Sequence, residues 1–129
     1  QQVMIVKALV KQMESGIEIV ACPILREEDG LAMSSRNSLL SAEERQLASL
    51  IPKWMQEAKV IVLKEGILKA KNFVADKIAA YPQMKLDYYA VCNAENLRIL
   101  PDEKVKPNSI SLIALFVGKI RLIDNLILN

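Results

Sequence analysis

The sequence contains no histidine, and that absence removes more chemistry than most residues could add. Histidine is the side chain whose unperturbed pKa lies nearest neutrality and the usual general base for a nucleophilic hydroxyl. A histidine triad and a histidine-containing zinc site are therefore both excluded within this chain. Two cysteines, Cys22 and Cys92, are too few and too far apart for a disulfide framework or a structural zinc site. They read as buried free thiols of a cytosolic protein. Charge of one sign is also scarce: 17 Lys and Arg against 15 Asp and Glu leave +2, and the basic residues are scattered. With no aromatic–basic stripe either, nucleic acid is not an expected partner. No apolar run approaches the roughly 18 residues needed to cross a membrane. Chemistry here must work by positioning and charge stabilisation, or with residues outside the chain.

What is present suits one domain, or one domain plus a remnant of another, in 129 residues of which 52% are hydrophobic. The chain opens at Gln1, without methionine and inside a helical pattern, which reads as a cut end. Apolar residues at 3, 5, 6, 9, 10 and 13 predict a helix with one buried stripe, stopped by Ser15-Gly16. Ile17 to Cys22 is a short β-branched run closed by Pro23 and reads as a buried strand. Helix, glycine, strand is half of an α/β repeat, so residues 1–25 resemble the tail of a parallel-sheet domain.

Ser41-Ala42-Glu43-Glu44 carries a capping-box pattern, and apolar positions from 47 to 62 trace one helical face as far as Gly66. Pro52 predicts a break near residues 49–51, and Trp54 falls on the core stripe. A second helix is expected from Ile67 to Tyr81. Beyond Pro82 the period becomes two, with Leu86, Tyr88, Ala90 and Cys92 expected on one face and Asp87, Tyr89, Val91 and Asn93 on the other. Residues 94–108 connect to a strand at Ile110–Val117, and Gly118-Lys119 suits a hairpin into Ile120–Ile127. The second part is thus α+β: helices followed by a small, mainly antiparallel sheet.

Gly30-Leu31-Ala32-Met33-Ser34-Ser35-Arg36-Asn37 is the stretch with chemistry in it. Two hydroxyls, a permanent cation and an amide suit phosphate oxygens, and Asp29-Gly30 allows a sharp turn. The stretch follows the expected strand, and ligands of α/β sheets sit beyond strand carboxyl ends. A loop of this kind is expected to be mobile without its ligand.

Taken with Glu18-Ile19-Val20, Pro23, Arg26-Glu27, Ser41 to Arg45, Asp87-Tyr88, Gly118 and Arg121 to Asn125, the run Asp29 to Asn37 closely resembles the pantoate–β-alanine ligase family. The resemblance implies a Rossmann-type nucleotidyltransferase domain followed by a smaller closing domain. It divides the chain into a remnant of the first domain at 1–25, an ATP-phosphate loop and hinge at 26–37, and a C-terminal lid domain at 38–129. It implies an AMP-forming ligase that uses ATP and Mg²⁺, with pantoate and β-alanine as partners, in a cytoplasmic homodimer. By the same resemblance Ser34, Ser35 and Arg36 contact the ATP phosphates and serve catalysis. Cys22, Leu25 and Met33 line the adenine pocket, and Gln2 contacts pantoate. The family's His-X-Gly-His motif and Lys-Asp pair would lie before Gln1, so the fragment alone is expected to be inactive. No metal ligand is assigned within the chain, because Mg²⁺ leans on substrate phosphates. A non-catalytic lid or oligomerisation module of another nucleotide-binding protein is the alternative.

Overall fold

The structure, a computed structural model, describes residues 2–101 and 105–128. Gln1, residues 102–104 of the expected connection and Asn129 lie outside the described residues. In chain order the elements are α1 (Gln2–Gln12), a 3₁₀ turn (Ser35–Leu39), α2 (Ala42–Ala48), α3 (Leu50–Glu65), α4 (Ile67–Ala79), β1 (Met84–Asn93), β2 (Ser109–Val117) and β3 (Ile120–Ile127).

Local chemistry explains most of these boundaries. Ser41 Oγ accepts from the Glu44 N–H at 3.2 Å while Glu44 Oε2 accepts from the Ser41 N–H at 2.8 Å, the reciprocal cap of α2. Pro52 sits in the first turn of α3, where a missing N–H deprives no carbonyl of its partner. The expected break is therefore a change of helix at Ser49. Gly66, at φ 101°, ends α3 and starts α4 with no residue between.

The sheet is antiparallel in the order β1-β2-β3, and β2 is its central strand. Ile51, Trp54, Met55, Ala58 and Val62 of α3 and Ile67, Ala70, Val74 and Ile78 of α4 pack on one face of it. Trp54 is core, its ring 5.7 Å from that of Tyr81. The two-residue connection Gly118-Lys119 closes the β2–β3 hairpin as expected.

Four expectations are corrected. Leu86 pairs with Leu115 but Tyr88 pairs with Ala114, so Asp87 is an extra residue and the alternation reverses there. Leu86 consequently shares the helix-packed face with Tyr89 and Val91, while Tyr88 turns to the open face. Residues 17–22 form no strand, and Val20 is 74% exposed. A β-strand is held by its neighbours, and the described residues offer that segment none. For the same reason α1 buries no residue, its apolar stripe of Val3, Val6 and Leu9 facing outward, and Cys22 is exposed; Cys92 is buried as expected.

Candidate phosphate-binding site

Residues 25–33 form a tight hairpin. The Glu27 N–H donates to the Leu31 carbonyl at 2.8 Å, that of Gly30 to Glu27 at 2.9 Å, and that of Met33 to Leu25 at 2.9 Å. Gly30 takes φ +89°, open to glycine and costly elsewhere, and Asp29 Oδ1 accepts from the Leu31 N–H at 3.1 Å. Leu31 plugs into the core. Arg45 donates to Asp29 Oδ2 at 2.6 Å, a contact that holds the Asp29 carboxyl below its ordinary pKa. The loop is thus tied to itself and to α2 at several points.

The 3₁₀ turn follows directly. Ser34 Oγ caps it by accepting from the Arg36 N–H at 3.2 Å, which leaves the Ser34 O–H able to donate outward. Asn37 commits its amide nitrogen within the loop and leaves its buried Oδ1 without a hydrogen-bond partner. Its Nδ2 donates to the Ala32 carbonyl at 3.1 Å and to Glu27 Oε1 at 3.3 Å, tying the two arms of the hairpin together.

Between this loop and the open face of the sheet lies a cavity of about 680 Å³. The volume suits a small-molecule ligand. Of the residues expected at the site, Gln2, Met33, Ser34 and Arg36 line it together, brought from the start of α1 and from the loop. Ser35, Cys22 and Leu25 do not line it. Ser35 is exposed beside the cavity and its carbonyl accepts from Ser38 Oγ at 2.7 Å. Leu25 joins the site through its backbone bond to Met33, with an exposed side chain.

The opposite wall was not assigned a role from sequence. Tyr88 and Ile123 lie in one cross-strand row with Ala114 between them, and Arg121 and Asn125 stand further along β3. Arg121 is held by Asp87 at 2.7 and 3.0 Å, and that hydrogen bonding raises the guanidinium's pKa. Arg36 makes no ion pair among the described residues, so it is the lining cation left available for an anion. The signal that places this wall is the bulge at Asp87, which the residue alternation does not reveal.

A smaller cleft of about 260 Å³ lies on the core side of the hairpin and is lined by Arg26, Asp29, Lys53 and Asp124. Arg26 there is committed to Asp124, and the carboxylates of Asp29 and Asp124 also line this cleft. Among the described residues no group of three or more Cys, Asp or Glu side chains is placed to hold a metal ion. No described helix is long and apolar enough to cross a membrane.

Comparison with known proteins gives a consistent result. A family model described as Pantoate-beta-alanine ligase matches residues 1–127. The pantothenate synthetase of Bacteroides fragilis is 39% identical over 126 residues, which is 98% of this chain and 45% of the relative. That of Clostridium acetobutylicum is 42% identical over 131 residues, 100% of this chain and 46% of the relative. The crystal structure of pantothenate synthetase from Thermus thermophilus superposes with a TM-score of 0.88 at 30% identity, over 98% of this chain and 46% of that one. A pantoate-beta-alanine ligase from Francisella tularensis, complexed with beta-gamma ATP and beta-alanine, gives 0.66 at 26% identity, over 98% and 40%. The chain spans a little under half the length of the curated relatives it matches.

Proposed function

The chain belongs to the pantoate–β-alanine ligase family, and from that premise we propose that it is the C-terminal portion of an ATP-dependent ligase joining pantoate to β-alanine. In this reading a pantoate carboxylate oxygen attacks the α-phosphorus of ATP and pyrophosphate leaves. The β-alanine amine then attacks the acyl carbon of the bound pantoyl adenylate, losing a proton, and AMP departs with the new amide formed. The observation that carries the reading is the convergence of Gln2, Met33, Ser34 and Arg36 on one cavity, in a chain of this family. The Francisella tularensis ligase with its ATP and β-alanine ligands supports the substrate class.

Within this chain the chemistry is electrostatic. Negative charge grows on the leaving pyrophosphate oxygens, and Arg36 with the Ser34 hydroxyl would stabilise it there, with Ser35, beside the cavity, proposed as a further donor. Met33 would line the adenine side, with Leu25 and Cys22, outside the cavity here, as further residues proposed for it, and Gln2 would meet pantoate. Mg²⁺ would neutralise phosphate charge while carried on ATP itself, since the described residues form no acidic cage for it. A cytoplasmic homodimer is the assembly proposed for the whole protein.

The same reading assigns residues 1–25 to an N-terminal nucleotide-binding domain, 26–37 to the hinge and phosphate loop, and 38–129 to the lid. What supports the division is the contrast in burial. The apolar stripe of α1 has no cover, whereas α2 to β3 share a continuous core.

The test is pantoate-dependent exchange of labelled pyrophosphate into ATP by the full-length protein, without β-alanine. Exchange is expected, followed by AMP release when β-alanine is added. ADP and phosphate as the products would overturn the adenylate route.

A further inference from the structure

Arg26 makes four hydrogen bonds and does not itself line the larger cavity, although its partners Asp124 and Asn125 do. Its Nη1 donates to Asp124 Oδ2 at 2.8 Å and to the Gly30 carbonyl at 2.9 Å. Its Nη2 donates to Asp124 Oδ1 at 3.0 Å and to the Asn125 carbonyl at 3.3 Å. Asp124 also accepts from the Asn125 N–H at 2.7 Å, and its side chain is only 4% exposed against 31% for Arg26.

The geometry joins two walls. Arg26 lies on one arm of the hairpin and is bridged to Ala32 on the other, two residues before Ser34. Asp124 shares a cross-strand row with Tyr89 and Ile113 on the helix-packed face of the sheet. The hairpin therefore straddles the edge strand β3, with Arg26 on the core side and Met33 to Arg36 facing the open side. It also covers an edge that would otherwise present unpaired carbonyls. A bidentate arginine–carboxylate pair fixes distance and angle together, which a lysine cannot do.

We propose that the Arg26–Asp124 pair is a positioning clasp that sets the Ser34–Arg36 donors at a fixed distance from β3, and so sets the width of the phosphate site. The inference rests on the ligase reading for its catalytic consequence, though not for its structural one. Arg26 does not line the larger cavity, and Asp124, which does, has both carboxylate oxygens committed to Arg26, so the two act as positioning residues. Asp124 is buried but Arg26 is 31% exposed, so solvent screens part of the attraction, and the bidentate geometry is the distinctive feature of the pair.

The experiment uses the full-length protein with Asp124→Asn and Arg26→Lys, assayed at a temperature where both variants are folded. The first readout is amide hydrogen exchange. Exchange at Glu27 and Met33 is expected to speed up by about 5-fold or more while β2 amides keep their wild-type protection. The second is single-turnover adenylation, expected to slow ~10–100-fold with the apparent KM for ATP changed far less. Arg26→Lys should fail to rescue, since it keeps charge and loses the fork. Wild-type exchange and rates in both variants would overturn the clasp, as would uniform loosening of all amides or full rescue by lysine. A wild-type protein with no pyrophosphate exchange would overturn the ligase reading instead, and the amide data would still decide the clasp.

Discussion

The Glu44 carboxylate occupies the space that a side chain on Gly118 would need. A Cβ added to Gly118 runs into Glu44 Oε1, while the other oxygen of that carboxylate caps α2 through the Ser41 N–H. The tip of the β2–β3 hairpin thus packs against the start of α2, and Gly118 holds φ +56° there.

Gly118→Ala is therefore expected to destabilise by about 2–3 kcal/mol, from left-handed backbone strain together with displacement of the Glu44 cap. Denaturant unfolding of Gly118→Ala, Glu44→Ala and the double variant checks it. The double variant should lose less than the sum of the two, since the clash disappears with Glu44. Strict additivity would show that the two residues do not interact.

On the proposed ligase reading, Arg36→Ala in the full-length protein should slow formation of pantoyl adenylate by ~10²-fold, on the order of 3 kcal/mol, for loss of one preorganised charged donor. The thermal midpoint should move by no more than about 1–2 °C, because Arg36 is exposed and carries no ion pair among the described residues. A normal single-turnover rate would reduce Arg36 to a solvated surface charge.

Tyr89 predicts a pH dependence. Burial pushes its phenol from 10.0 up to about 12, with the Ser111 hydroxyl opposing the shift. Ser111 Oγ donates to the Leu126 carbonyl at 3.2 Å, and the Tyr89 hydroxyl makes no hydrogen bond of its own with good geometry. The folded-state value lies above the unfolded one, so this contribution is intact below about pH 10 and is lost as pH rises towards 12. The loss amounts to on the order of 2–3 kcal/mol at its limit. Tyr89→Phe should differ from wild type by less than about 1 kcal/mol at pH 7 and should resist alkaline unfolding better. Parallel alkaline transitions of the two proteins would contradict this.

The 129-residue chain by itself should release no AMP above background from ATP, pantoate and β-alanine. The cavity it contributes has one lining cation free for phosphate among the described residues and no histidine. Turnover at an enzymatic rate by this chain alone would show that the remaining part of the protein is dispensable.

Features that depend on neighbours within about four residues were legible without coordinates. The Ser41–Glu44 cap, the change of helix before Pro52, the Gly118-Lys119 hairpin and the turn at Asp29-Gly30 are all of this kind. Each is a local matter of side-chain length, proline's missing N–H or glycine's access to positive φ. The residue types at 34–36 were legible too, but that Ser34 and Arg36 line the cavity while Ser35 stands beside it was not.

Tertiary structure decided what depends on partners distant in the chain. The phase of β1 turns at Asp87 because β2 pairs with it through a bulge, and residue alternation within one strand carries no record of the opposite strand's register. Residues 17–22 have strand composition but no ladder, since β-branched residues favour extended backbone only where neighbours accept the hydrogen bonds. Arg26 and Asp124 are separated by 98 positions, and nothing in the identity of either names the other. The fold chose that pair by laying the 25–33 hairpin across the edge of β3, where a buried carboxylate has to find a cation and a guanidinium has to find its acceptors.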